Sequence, residues 1–111
     1  MQSQELNYIL GKILDAYKDA SDLNFTVGKS MQVERSGELV SIDPNIFPGI
    51  LTPYQTEMIA LNLMNNDARL LKTLLLHGDC DLSYSVPGKG RFRVNVFSKG
   101  GSYSVVMRKL E

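Results

Sequence analysis

The sequence predicts an α+β domain with a mainly antiparallel sheet, in the order helix, three strands, two helices, three strands. Three observations predict it. Apolar residues recur with helical period from Gln4 to Lys18. Runs of alternating apolar and polar residues before Ile42 and after Asp81 are separated by glycine-bearing turns at Ser36-Gly37, Gly88-Lys89-Gly90 and Gly100-Gly101. Between the two sets of strands, Thr52-Pro53-Tyr54-Gln55 opens a helical stretch. Strands with one apolar face and helices with one apolar stripe suit helices packed on a single face of the sheet.

The first helix, Gln4 to Lys18, carries Leu6, Ile9, Leu10, Ile13, Leu14 and Tyr17 on one side, with Ser3 as its expected N-cap. Its polar side mixes Glu5, Asp15 and Asp19 with Lys12 and Lys18, which suits core packing better than a membrane surface. Leu23 to Val27 alternates cleanly as a strand. Met31 to Arg35 and Glu38 to Ile42 form a hairpin about Ser36-Gly37. Pairing Arg35 with Glu38 puts Val33 opposite Val40 and Met31 opposite Ile42, all on one face. Asp43 to Leu51, with two prolines and a glycine, reads as a loop. In the second helix Thr52 caps, Pro53 occupies the first turn and Gln55 completes a capping box. Tyr54, Met58, Leu61 and Met64 follow at helical spacing, Met58 and Met64 as core filler. Asn65-Asn66 interrupts. The third helix, Asp67 to His77, is expected to turn Leu70, Leu71, Leu74 and Leu75 inward and to end at Gly78.

The last three strands carry the most informative stretch, Gly88 to Phe97. Side chains alternate across a strand, so Phe92, Val94 and Val96 point one way and Arg91, Arg93 and Asn95 the other. A three-residue loop at 88–90 would set Val86 opposite Phe92, Tyr84 opposite Val94 and Leu82 opposite Val96. A four-residue loop would oppose the apolar set to the arginines and is rejected. Pairing Lys99 with Ser102 puts Val96 opposite Val105, Val94 opposite Met107, and Arg93 directly opposite Arg108. Like charges so placed repel. A phosphate or carboxylate would relieve the repulsion, since Arg binds both through a two-pronged geometry. Pairing with acidic residues of the chain itself, or simple solvation, would do the same.

Composition bounds the rest. A chain of 111 residues forms one domain, residues 1–111, and balances 12 basic against 12 acidic side chains. That balance argues against a dedicated nucleic-acid binder or a basic membrane-surface module. One cysteine, Cys80, allows no internal disulfide and suggests a reducing compartment. No signal peptide or membrane-spanning run is visible, so no membrane insertion is expected.

Several chemical patterns fail. Gly28-Lys29-Ser30 resembles the end of a phosphate loop, but Leu23 stands where its first glycine belongs and the segment lies between strands. Gly88-Lys89-Gly90 lacks the third glycine of a dinucleotide fingerprint, Arg93 standing there. His77, the single histidine, has no metal-ligand partners at suitable spacing. Phe92 and Phe97 fall on opposite faces, so they cannot form the stacking platform of an RNA-binding strand.

Taken together, Ala20-Ser21-Asp22-Leu23 ahead of Gly28, the Arg35-Ser36-Gly37 turn, Asp81-Leu82-Ser83-Tyr84-Ser85, Gly88 to Phe97 and Arg108 resemble the N-terminal domain of the secretion and type IV pilus motor ATPases. The resemblance is strongest to the pilus retraction (PilT-like) branch and covers essentially the whole chain. It implies a PAS-like fold joined by a linker to a RecA-like motor domain. It implies a homo-hexameric parent that uses ATP and Mg²⁺ and works in the cytoplasm, at the inner-membrane face of a pilus or secretion machine. It also implies that the domain packs on a RecA-like motor domain of its own or a neighbouring subunit. Arg91, Arg93 and Arg108 would then approach nucleotide at the junction. Asn24 stands where the family usually has His, and Leu82 where it usually has Phe. The motor's phosphate loop and acidic boxes do not occur in these residues, so the 111-residue chain is expected to need no cofactor and to hydrolyse no ATP by itself. The contrasting reading is a free-standing PAS-like domain that senses a small ligand or binds a protein. The bulky inward set Phe25, Val33, Tyr84, Phe92, Val94 and Met107 favours a filled core over a ligand cavity.

Overall fold

The computed structural model describes residues 1–110. The element order is the expected one: helix α1 (Ser3–Ala16), strands β1 (Asp22–Phe25), β2 (Gln32–Arg35) and β3 (Glu38–Ser41), helices α2 (Pro53–Met64) and α3 (Ala68–His77), and strands β4 (Asp79–Val86), β5 (Gly90–Lys99) and β6 (Ser102–Lys109). The six strands form one antiparallel sheet in the order β3-β2-β1-β6-β5-β4. Each half is a local meander, and the β1–β6 pairing joins the halves. The helices cover one face. Leu6, Leu10, Ile13, Ile59, Leu63 and Leu74 bury against Leu23, Phe25, Val33, Phe92, Val94, Val96, Val105 and Met107. That leaves the other face of the sheet without a covering helix.

Two hairpins take the register that the sequence predicts. Arg35 pairs with Glu38 and Val33 with Val40 around Ser36 and Gly37, both at positive φ as a two-residue hairpin turn requires. Lys99 pairs with Ser102, Val94 with Met107 and Arg93 with Arg108. The β4–β5 hairpin differs. Val86 pairs with Gly90, Tyr84 with Phe92 and Leu82 with Val94, a shift of two residues from expectation. The loop is Pro87-Gly88-Lys89, closed by a bond from Lys89 N–H to the Val86 carbonyl (2.9 Å). Pro87 has no N–H to give a ladder, so it sits in the turn, and Gly88 (φ 71°) supplies the left-handed residue after it. A two-residue shift preserves which face each side chain occupies, so alternation cannot detect it.

The helices bring further corrections. Ser3 does not cap α1: Gln2 holds that position with no side-chain bond, and Ser3 Oγ donates to Asn62 Oδ1 on α2 (3.0 Å). The capping box at Thr52 and Gln55 forms in full. However, α2 buries Thr56, Ile59, Ala60, Leu63 and Met64, and leaves Tyr54 exposed. Apolar residues surround this helix, so periodicity alone does not choose its inner face. Asp67 caps α3 through Arg69 and Leu70 N–H, and Gly78 ends it. Only Leu74 is fully buried there. Leu71, Leu75 and Leu76 are exposed, by 38%, 68% and 67%, so Leu71 and Leu75 do not face the core.

Candidate functional site

The open face of the sheet gathers the chemistry. A row of directly paired residues crosses it: Glu34 on β2, Asp22 on β1, Arg108 on β6, Arg93 on β5 and Ser83 on β4. Alternation puts all five on the helix-free side, because their chain neighbours Val33, Leu23, Met107 and Val94 fill the core. Arg93 and Arg108 border a shallow groove of about 380 Å³ that is also lined by Asp81, Asn95 and Val106.

The two arginines are not equivalent. Arg108 Nη2 lies 3.3 Å from Asp22 Oδ2, and the Asp22 side chain is only 7% exposed. A carboxylate so enclosed needs its charged partner. Arg93 has no ion pair among the described residues, nor has Arg91. Asp81 stands diagonal to Arg93 but is engaged by Asn95, whose Nδ2 donates to Asp81 Oδ1 (3.2 Å) and to the Cys80 carbonyl (3.3 Å). The groove therefore presents one neutralised and one free guanidinium side by side. That geometry can accept an anionic oxygen pair.

The structure brings Arg93 and Arg108 together as the register implies. Arg91 lies two residues further along the same face, opposite Ser85 and outside the groove. Asp22 and Asp81 escaped the sequence reading as partners of this site. Asp81 stands on β4, the strand paired directly with β5, and the two-residue shift of the β4–β5 register is what sets it diagonal to Arg93. Asp22 is 86 positions from Arg108, and only the β1–β6 pairing unites them. Asn24 Oδ1, two residues further along β1, is buried and without a hydrogen-bond partner among the described residues. Burial pushes the Cys80 thiol up from its ordinary value, which suits a core thiol beside Met64. Among the described residues no cluster of three or more His, Cys, Asp or Glu could hold a metal ion. Among the described residues no helix is long and apolar enough to cross a membrane.

A second hollow, about 780 Å³, opens between the helices and β4. Several of its polar groups are bonded: Tyr84 OH donates to Asn7 Oδ1, Ser3 Oγ to Asn62 Oδ1, and Asn62 Nδ2 to the Met58 and Met1 carbonyls.

No family model matches the chain. It is 29% identical over 94 residues to the type IV pilus ATPase PilU of Pseudomonas aeruginosa, covering 85% of this chain and 23% of that protein. Among solved structures it is similar to the pilus retraction motor PilT with bound ADP, with TM-score 0.81 and 27% identity over 96% of this chain and 29% of that one. The ATPase DotB of Legionella pneumophila shares the fold, with TM-score 0.73 at 19% identity over 100% of this chain and 30% of that one. The chain thus spans less than a third of the length of these relatives. Across nearly its whole length, in sequence and in fold, the chain is similar to the N-terminal domain of PilT-like motor ATPases.

Proposed function

We infer that the chain serves as the N-terminal regulatory and assembly domain of a hexameric pilus retraction or secretion ATPase, and that its arginine groove meets the nucleotide-bearing junction between subunits. The observation that carries this reading is the pairing of Arg93 with Arg108 in an open groove where, among the described residues, only Arg108 has an acidic partner. Two cross-strand guanidiniums repel unless an anion joins them. A phosphate chain, or a carboxylate of a packed RecA-like motor domain, supplies that anion. Arg91, on the same face, adds positive charge beside the groove. The donor set fits phosphate oxygens. It does not fit Mg²⁺, which takes oxygen ligands, so the metal and most of the ATP contacts fall to the motor portion of the parent protein. A cytoplasmic location at the inner-membrane face of the machine accords with this role.

The sensor reading finds less support. The sheet's inner residues Phe25, Val33, Phe92, Val94 and Met107 are at most 1% exposed, so side chains fill the space a ligand would need.

The experiment replaces Arg93 by Gln in the full-length motor and measures steady-state ATP turnover, with the same change in the 111-residue chain as a folding control. The expected result is a motor that turns over markedly more slowly and a domain that melts as before. An arginine acting on a transferring phosphate changes rates by about 10³-fold or more, and one that only holds a junction changes them less. Unchanged turnover would remove the groove from the nucleotide junction.

A further inference from the structure

The sheet has two free edges, and they are built differently. β3 is four residues long. β4 is eight, and it pairs with β5 from Asp79 to Val86 without a bulge. Long, straight edges are templates for another strand, and proteins usually blunt them with a bulge, a proline or brevity. β4 has none of these before Pro87. Ser98 N–H donates to the Gly78 carbonyl, which makes the even-numbered residues of β4 the ones bonded to β5. The backbone groups of Asp79, Asp81, Ser83 and Ser85 therefore point outward. All four residues are exposed, and among the described residues no other segment bonds their N–H or C=O groups.

We propose that the β4 edge, together with the exposed leucines of α3, is a two-fold docking surface for a second copy of this chain. The charge pattern selects that occupant. Reading along β4, the open-face residues are Asp79, Asp81, Ser83 and Ser85, acidic at one end and neutral at the other. An antiparallel copy in the register that sets Asp81 opposite Ser83 also sets Asp79 opposite Ser85 and Leu82 opposite Leu82. No like charges then face each other. Each aspartate lies over a serine, and behind those serines stand Arg93 and Arg91 on β5. Two strand spacings amount to roughly 10 Å, within the joint reach of an arginine and an aspartate. The acidic end of each edge thus lies against the basic end of the other copy.

The same two-fold keeps all helices on one side of the continuous sheet. It brings together the two copies of α3, the helix packed on β4. Leu75 and Leu76 on that helix are largely exposed and Leu71 partly so among the described residues, and a facing α3 covers them. This surface draws on Arg91 and Arg93, which the nucleotide-junction reading also uses, but does not rest on that reading.

Sedimentation equilibrium of the 111-residue chain from low to high micromolar concentration tests the proposal, with amide exchange at Asp81 and Ser83 measured in parallel. The expected result is a monomer–dimer equilibrium that weakens with added salt, and exchange at those amides that slows as the dimer fills. Ser83→Pro removes an outward N–H and no bond of the β4–β5 ladder, so it should abolish the dimer while leaving the circular dichroism spectrum of the monomer intact. Leu75→Lys should weaken it independently, which serves if the proline disturbs folding. A monomer at every concentration overturns the proposal. So does a dimer that forms with neither protection at Asp81 and Ser83 nor sensitivity to Leu75→Lys.

Discussion

The two faces of the sheet, one residue apart along every strand, obey different rules. On the helix side the transverse row runs Val40, Val33, Leu23, Met107, Val94, Leu82. On the open side it runs Leu39, Glu34, Asp22, Arg108, Arg93, Ser83. In the first row any apolar neighbour satisfies any other, because burial is non-directional. In the second each charge depends on which residue stands next to it. Arg108 beside Asp22 is neutralised, whereas Arg93, one strand away, is not. One face thus stabilises the fold by area, and the other distributes charge that the fold itself does not fully match.

The largest test of that contrast removes area. Phe92, between Arg91 and Arg93 on β5, turns to the helix side and is 1% exposed. Phe92→Ala should cost about 3–5 kcal/mol in urea unfolding, through lost transfer energy and a cavity. A loss under about 1 kcal/mol would mean that the site collapses freely and that the inner face is not tightly packed.

On the open face the effects should be smaller and of opposite sign at adjacent positions. Arg108→Gln leaves the enclosed Asp22 carboxylate without its cation and should destabilise by about 1–2 kcal/mol, the exposed guanidinium keeping the loss below that of a fully buried pair. Arg93→Gln removes a repulsion only and should change stability by less than about 0.5 kcal/mol, in the stabilising direction. A double-mutant cycle with Asp22→Asn reads the Asp22–Arg108 coupling directly. Equal effects at 93 and 108 would erase the distinction between a structural and a free arginine.

The smallest effect concerns the tie between the β4–β5 turn and α1. Lys89 Nζ lies 2.7 Å from Asp15 Oδ1, and this hydrogen bond, with the positive charges of Lys89, Lys18 and Lys12, holds the Asp15 carboxyl below its ordinary value of 3.8. A carboxyl depressed by folding contributes stability that is present above its unfolded value and lost as pH falls through its folded one. Lys89→Ala should therefore lower the melting temperature slightly at neutral pH, leave it unchanged at the acid end where Asp15 is protonated in both states, and so flatten the fall below about pH 4. An unaltered acid profile would show the contact to be transient in solution.

How legible each face was in the sequence follows from the same contrast. The element order, the Ser36-Gly37 and Gly100-Gly101 turns and the inner set Phe92, Val94, Val96 were readable, because period and turn chemistry are local. The Arg93–Arg108 contact was readable for the same reason, being set by a two-residue turn. The β4–β5 register was not, since a shift of two leaves every face unchanged and only Pro87 marks the true turn. The exposure of Leu71 and Leu75 was hidden because α3 has leucine on several sides and packing chose Leu74. Asp22 as partner of Arg108 required knowing that β1 lies beside β6, and nothing in the local pattern of either strand states this.

That β1–β6 seam also governs how the chain assembles in time. Its rungs join Asp22 to Arg108 and Phe25 to Val105, so the two meanders, each built from neighbours in sequence, meet only through β6, the last of the six sheet strands in chain order. Loop closure over such a separation is entropically costly and slows the approach to the native state. Until β6 has left the ribosome, β1 and β5 each present an unpaired flank, and β6 must enter between them rather than add to a finished sheet. A chain cut before Ser102 therefore retains two half-sheets with open sides, the form in which a nascent chain is most exposed to chaperones and to mispairing.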